Sequence, residues 1–186
     1  MGNIQALCLA SAARKEFNHA CCACAEIIEK SESAWSSPLV LVRKKDGSTR
    51  CCVDYRRLNE VTLRDSYPIP RIDDSLDALS GARWFSTLDL KSGYHQVKMS
   101  AKDKPKTAFS CGSGLWEFRV MPFGLCNAPA TFERLMEAVL AGLHWKSLLV
   151  YLDDVIVFGS SFAEAQRRLT EVLERFRAAG LKLNPK

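Results

Sequence analysis

The chain has 186 residues, of which 47% are hydrophobic and 25% charged, so it is long and apolar enough for the substantial core of one α+β unit. Its net charge is a modest +5, and no run of about 18 apolar residues occurs, which argues against a membrane span. Eight cysteines with no secretory signal are expected to be reduced thiols, not a disulfide framework.

Residues 1–32 read as a leader of unassigned role, poorly ordered or helical. Cys21, Cys22 and Cys24 contain a Cys-x-x-Cys spacing near His19, but no second ligand pair follows at a zinc-site interval. Met1-Gly2 departs from the myristoylation pattern at Ala6. Next, Asp46-Gly47 lies between the segments 39–45 and 49–53, a hairpin signal. A two-residue loop there pairs Lys44 with Thr49 and Arg43 with Arg50, whereas a three-residue loop pairs Lys44 with Arg50. Arg43, Lys44, Lys45, Arg50, Arg56, Arg57, Arg64 and Arg71 face only Asp46, Asp54, Glu60 and Asp65 over this stretch, an excess of four cations that suits phosphates. Pro70, Ile72, Leu76 and Leu79, with Gly81 beyond, predict a short helix and its stop.

Residues 84–90 alternate with period two and deliver Asp89 near the end of a strand. Asn127 caps a helix with Pro129 in its first turn, and Phe132, Leu135, Met136, Val139 and Leu140 form one apolar stripe that core packing explains. Apolar runs at 147–150 and 155–158 flank Tyr151-Leu152-Asp153-Asp154, placing adjacent acids at a hairpin's tip. Ser161 and Glu164 form a capping box for a helix with Leu169, Val172, Leu173 and Phe176 on its buried side and Gly180 at its end. Leu181 to Asn184 begin another strand. The order strand, helix, hairpin, helix, strand is a split βαβ arrangement.

Asp-Asp is poor turn chemistry, and two anions held together repel unless a cation sits between them. An isolated pair reads as a solvated turn. A third carboxylate, Asp89, on a separate strand changes that reading. Two-metal phosphoryl transfer needs carboxylates from different elements, converging so that ions about 3.5–4 Å apart bind the attacking and leaving oxygens.

Further blocks follow in order: Ser36-Ser37-Pro38, Val42-Arg43-Lys44-Lys45-Asp46-Gly47, Cys52-Val53-Asp54-Tyr55-Arg56-Arg57-Leu58-Asn59, and Tyr67-Pro68-Ile69-Pro70. They continue as Phe85-Ser86-Thr87-Leu88-Asp89-Leu90-Lys91-Ser92-Gly93-Tyr94-His95-Gln96, Lys106-Thr107-Ala108-Phe109, Met121-Pro122-Phe123-Gly124-Leu125, Asn127-Ala128-Pro129-Ala130-Thr131-Phe132 and the Tyr-Leu-Asp-Asp box. From Trp35 to Lys186 this series resembles the fingers and palm of a reverse transcriptase from a gypsy-type long-terminal-repeat retroelement, related to retroviral pol.

The resemblance implies an α+β right-hand polymerase fold, with a ferredoxin-like split βαβ antiparallel palm sheet carrying helices on one face. Residues 33–186 would be the reverse transcriptase domain, with fingers at about 33–82 and 97–121, palm at about 83–96 and 122–186, and the chain stopping before primer grip and thumb. It implies RNA-directed DNA polymerase activity; the alternative is a truncated, inactive retroelement fragment with weak or no nucleic-acid binding. A nucleotide cyclase on a similar palm is disfavoured by the fingers blocks and Tyr94. Asp89, Asp153 and Asp154 are implied as catalytic metal ligands, with the Leu90 backbone carbonyl, for two Mg2+ ions that Mn2+ can replace. Lys44, with Arg43 in reserve, and Arg50 are implied to hold the triphosphate, Ser92 and Gly93 to meet phosphates through backbone N–H groups, and Tyr94 to guard the sugar. Phe123 and Gly124 resemble the loop under the nucleotide and template base; Phe123 replaces the glutamine of retroviral relatives, making contact there apolar. Tyr151 and Leu152 support the motif. Implied partners are a primed RNA or DNA template, deoxynucleoside triphosphates and the rest of a pol polyprotein (thumb, connection, ribonuclease H), with no membrane. The implied location is a cytoplasmic retroelement particle.

Overall fold

A computed structural model describes residues 27–43, 49–68, 79–112, 114–151 and 154–184. The leader cysteines, Lys44, the Asp46-Gly47 turn, most of the expected 70–79 helix, Leu152 and Asp153 lie outside the described residues. The described strands are β1 (Ile28–Lys30), β2 (Ser37–Arg43), β3 (Thr49–Val53), β4 (Trp84–Asp89), β5 (Phe109–Cys111), β6 (Gly114–Phe118), β7 (Leu148–Tyr151) and β8 (Asp154–Gly159). The described α-helices are α1 (Arg56–Val61), α2 (Ala128–Val139) and α3 (Phe162–Ala178). The chain divides into two compact units, Met1–Arg64 with Val97–Ala128, and Asp65–Gln96 with Pro129–Lys186. The divisions at 64/65 and 128/129 differ from those expected near 82/83 and 121/122. Asp65 and Tyr67 join the second unit through α2, where Arg134 is ion-paired with Asp65 and the Tyr67 hydroxyl donates to Glu137.

The first unit carries a mixed five-stranded sheet in the order β1-β6-β5-β2-β3, with β2 and β5 parallel. Part of the expected leader belongs to it. Ile28 is buried at 8% exposure, β1 pairs with β6, and Glu29 is ion-paired with Lys104 at 2.8 Å, so packing and charge together hold this edge strand.

The β2–β3 hairpin forms, but in neither expected register. Arg43 faces Thr49 and Val42 faces Arg50, leaving five residues, 44–48, in the connection. This register aligns Leu39 and Leu41 with Val53 and Cys51, so the less exposed side chains of β2 share one face with apolar partners. It is extended by the Asp54 N–H donating to the Pro38 carbonyl at 2.9 Å. Tyr55 leaves the ladder here because its buried hydroxyl donates to the Thr107 carbonyl at 2.8 Å. A three-residue loop would put Tyr55 opposite Leu39 and break that anchor.

The second unit carries an antiparallel sheet in the order β4-β8-β7. The 181–184 segment meets the free side of β4, but as a single antiparallel bridge between Leu90 and Leu183, not a full strand. The order 183-segment, β4, β8, β7, with α2 between β4 and β7 and α3 after β8, is the split βαβ arrangement.

Helix α3 opens as expected: Ser161 Oγ accepts from the Glu164 N–H at 3.3 Å, while the Glu164 carboxylate takes the Ser160 N–H and hydroxyl. Its buried residues are Ala165, Val172 and Phe176. Leu173, expected on that face, is 39% exposed. The face is turned toward Ala165 because Gly159 of β8 lets α3 approach the sheet closely. Gly180, with φ of 70°, follows the helix end. The α2 stripe is confirmed by buried Phe132, Met136 and Leu140.

Candidate active site

The second unit assembles one transverse row. Strand β4 ends at Asp89, β8 begins at Asp154, and the two are direct cross-strand partners; Asp154 is in turn the partner of Tyr151, the last residue of β7. Residues directly opposite in antiparallel strands share a face, with Cα atoms about 4.5–5.5 Å apart. Tyr151, Asp154 and Asp89 therefore present side chains on one face. Asp154 is already paired within β8, so the acids are not both at the tip: only Leu152 and Asp153 lie between the closing pair Tyr151 and Asp154.

Asp89 is half-buried and Asp154 exposed. Asp89 has a neighbour that sequence reasoning missed. Asn184 donates its backbone N–H to the Asp89 carbonyl at 2.9 Å and its side-chain amide to Asp89 Oδ2 at 3.1 Å. The two are 95 residues apart, and no local motif signals the contact. Next to it, Leu90 is buried at 3% exposure. The bonds flanking its bridge run from Lys91 N to Lys182 O and from Asn184 N to Asp89 O. They occupy the backbone groups of Asp89 and Lys91, leaving the Leu90 carbonyl turned away from the 183 segment.

Ser92 has φ of 49° and begins the turn into a 3₁₀ helix, Gly93–Gln96, closed by the His95 N–H on the Ser92 carbonyl. Gly93 and Tyr94 are buried there. The Tyr94 ring meets Phe132 of α2 edge-on, with centroids 5.3 Å apart. Gln96, also missed, donates to the carbonyls of Lys91 and Lys182, each at 2.9 Å, and accepts the Lys182 N–H at 2.7 Å.

In the first unit, Phe123 and Gly124 form a turn that Asn59 clamps. Asn59 Nδ2 donates to the Gly124 carbonyl at 2.8 Å and its Oδ1 accepts the Cys126 N–H at 2.9 Å. Gly124 needs its freedom because its φ of 94° is a backbone conformation that side chains rarely adopt. Arg50 is placed by its backbone in β3, and Arg56 is paired with Asp54 at 2.6 Å, which holds the Asp54 carboxyl down at about 2.

The donor set fits hard divalent cations. Asp89 and Asp154 place two like charges face to face, a repulsion that a cation between them relieves, and carboxylate and carbonyl oxygens are the donors that Mg2+ takes. Among the described residues no group of three metal-binding side chains gathers; Asp153 lies outside them.

A reverse transcriptase (RNA-dependent DNA polymerase) family profile matches residues 42–186. The chain belongs to the reverse transcriptase family. The Pol polyprotein of the Drosophila melanogaster transposon 297 is 44% identical over 162 residues, 84% of this chain and 15% of that protein. An RNA-directed DNA polymerase homolog from Oenothera berteroana is 52% identical over 111 residues, covering 60% of this chain and 78% of its own length. This reverse transcriptase chain thus spans about one seventh of the Drosophila polyproteins it matches. Its fold is similar to a foamy viral protease-reverse transcriptase solved with double-stranded DNA, at TM-score 0.79 and 22% identity over 94% of this chain and 30% of that one. The same viral protein solved with an RNA/DNA hybrid gives 0.74 at 24% identity, over 85% and 21%. The fold is that of polymerase fingers and palm.

Proposed function

We propose that this chain forms the nucleotidyl-transfer centre of an RNA-directed DNA polymerase, with the first unit as fingers and the second as palm. The observation that carries the reading is Asp89 set directly opposite Asp154, beside the hairpin holding Asp153, in a chain of the reverse transcriptase family. Asp89, Asp153, Asp154 and the Leu90 carbonyl would hold two Mg2+ ions. Bound there, these would lower the pKa of a primer 3′-hydroxyl and stabilise the leaving pyrophosphate. In the transfer, the 3′-oxygen attacks the α-phosphorus of a deoxynucleoside triphosphate, the bond from that phosphorus to the bridging oxygen breaks, and pyrophosphate departs.

The chain's own residues bind and orient. Lys44 and Arg50 are assigned to the triphosphate, and the N–H groups of Ser92 and Gly93 to its oxygens. Tyr94 is assigned to the sugar as the residue that would exclude a 2′-hydroxyl, and its ring is held edge-on against Phe132. Phe123 and Gly124 offer an apolar surface to the nucleotide or template base. Primed RNA or DNA is the assigned substrate, in keeping with the foamy-virus protein solved with both kinds of duplex. The share of the transposon polyproteins that the chain spans supports a place within a longer pol polyprotein.

Primer extension on an RNA template tests this, using the chain alone and the chain joined to the downstream region of a transposon relative. The joined form is expected to extend the primer with Mg2+ and to lose that activity on Asp89→Asn, with the chain alone extending poorly because a 1 Å misalignment can cost about a hundredfold in rate. No extension by the joined form, or extension untouched by Asp89→Asn, defeats the reading.

A further inference from the structure

The segment that carries Asn184 is held in place independently of Asn184. Leu181 N–H donates to the Phe176 carbonyl at 2.9 Å, which folds the segment back from the end of α3. Two residues before Asn184, Lys182 is fixed on both backbone groups. Its N–H donates to Gln96 Oε1 at 2.7 Å, and its carbonyl accepts from Gln96 Nε2 at 2.9 Å and from the Lys91 N–H at 3.0 Å. The same Gln96 amide donates to the Lys91 carbonyl, two residues past Asp89. Gln96 thus ties both chain segments together just beside the Asp89–Asn184 contact.

The consequence lies in carboxylate rotation. The terminal torsion of an aspartate is broad, so an exposed carboxylate samples many orientations. An amide N–H delivered to Oδ2 from a preorganised backbone narrows that range and leaves Oδ1 directed elsewhere. A neutral donor does this without cancelling the negative charge. A lysine or arginine there would compete with a bound cation, and an aspartate would repel the carboxylate.

We propose that Asn184 is a positioning residue for Asp89, with Gln96 as its brace: its amide holds one carboxylate oxygen so that the other stays aimed at a divalent cation. This deepens the polymerase reading and rests on it. Partners that orient a metal ligand typically contribute about 10–100-fold in metal affinity.

The test is Mn2+ binding to the purified 186-residue chain, read by electron paramagnetic resonance without nucleotide or template, beside melting temperature in chelator. Asn184→Ala should weaken Mn2+ binding about tenfold while the metal-free melting temperature holds, because the Asn184 backbone bond to Asp89 is kept. Asn184→Leu, nearly isosteric but without a donor, should do the same, which guards against a folding defect in the first variant. In the longer, polymerising form, kcat should fall and the Mg2+ requirement rise while KM for the nucleotide stays constant. Wild-type Mn2+ affinity in the two variants would overturn the proposal, as would a loss matched by a drop in metal-free stability or a wild-type chain that binds no Mn2+. If no form extends a primer yet the variants still lose Mn2+ affinity, the polymerase reading fails and the positioning role stands. Normal polymerisation with unaltered metal binding in the variants defeats the positioning role alone.

Discussion

Asp154 stands directly across from Asp89, on the central strand of the second unit's sheet, with Tyr151 as its partner on the other side. Like charges directly opposite in a sheet oppose folding, and a cation bound between them would relieve that cost. The strands that hold these acids are well anchored: Val155 and Val157 of β8 and Leu148 and Val150 of β7 are all buried.

Asp154→Asn separates stability from function. Removing one of two facing charges should raise the melting temperature of the metal-free chain and shrink the rise in melting temperature that Mg2+ gives the wild type. In a polymerising form, extension should fall at least about a hundredfold, because a hard anionic ligand is lost. Thermal melts in chelator and in Mg2+, set beside primer extension, check all three. A metal-free melting temperature below wild type contradicts the repulsion argument.

Tyr94 combines two roles that substitution can separate. Its ring is buried and packs edge-on against Phe132, so Tyr94→Ala should cost about 3–5 kcal/mol in urea unfolding, in the range of aromatic truncations. The same variant should raise the use of ribonucleotides relative to deoxynucleotides, measured as a quotient of kcat/KM values. Tyr94→Phe retains the ring and should leave discrimination close to wild type. An unaltered quotient in active Tyr94→Ala would assign sugar discrimination to another residue.

Local pattern made much of this legible, and distant contacts account for what it missed. The alternation through residues 84–90 carried Asp89 to its strand end, and the apolar runs around Tyr151 to Asp154 defined the hairpin, because both signals are periodic and short-range. The β2–β3 register escaped because Asp-Gly argues for a short turn, whereas Tyr55, anchored 52 residues away on Thr107, decides where the ladder ends. Leu173 looked equivalent to Val172 on the helical wheel, and only the close approach at Gly159 shows which face turns inward. Asn184 and Gln96 are ordinary polar residues in sequence, and their meaning arises from partners 95 and 86 residues distant.

Gly159 should be intolerant of even one methyl group. An added Cβ would lie 2.8 Å from the Ala165 backbone nitrogen and 3.0 Å from its Cα, and backbone in a helix cannot swing aside as a flexible side chain does. Gly159→Ala is expected to lower stability by about 1–3 kcal/mol, the usual cost of overpacking, seen as a lower urea midpoint at unchanged slope. Gly159→Ala combined with Ala165→Gly should recover only part of it, since the nitrogen contact persists. A midpoint equal to wild type would mean that α3 slides freely on β8.

Stability should decline on acidification in two windows with separate causes. His144 Nε2 is buried without a hydrogen-bond partner among the described residues, and burial lowers the imidazole pKa from its ordinary 6.5 despite opposition from the Glu137 charge. A lowered pKa means that the unfolded chain takes up a proton first, so the stability present above pH 6.5 is lost as pH falls through the folded value. Lower down, the carboxyls of Asp65, beside Arg134, Asp103, beside Lys106, and Glu164, held by Ser160, are depressed, and that of Asp54 lies at about 2 beside Arg56. Their contributions are present above their unfolded values of 3.8 for Asp and 4.5 for Glu and disappear as pH drops through the folded ones. These groups are half-buried and keep part of each side chain in solvent, so solvent and salt keep the lower window shallow. His144→Phe keeps a ring to stack on Trp145, whose centroid lies 5.0 Å away, and removes the titration. Its melting temperature should be flat between pH 7.5 and 5 where the wild type declines, while both fall together below about pH 4.5 as the carboxyls protonate. Parallel curves for the two proteins in the upper window would remove His144 from the account.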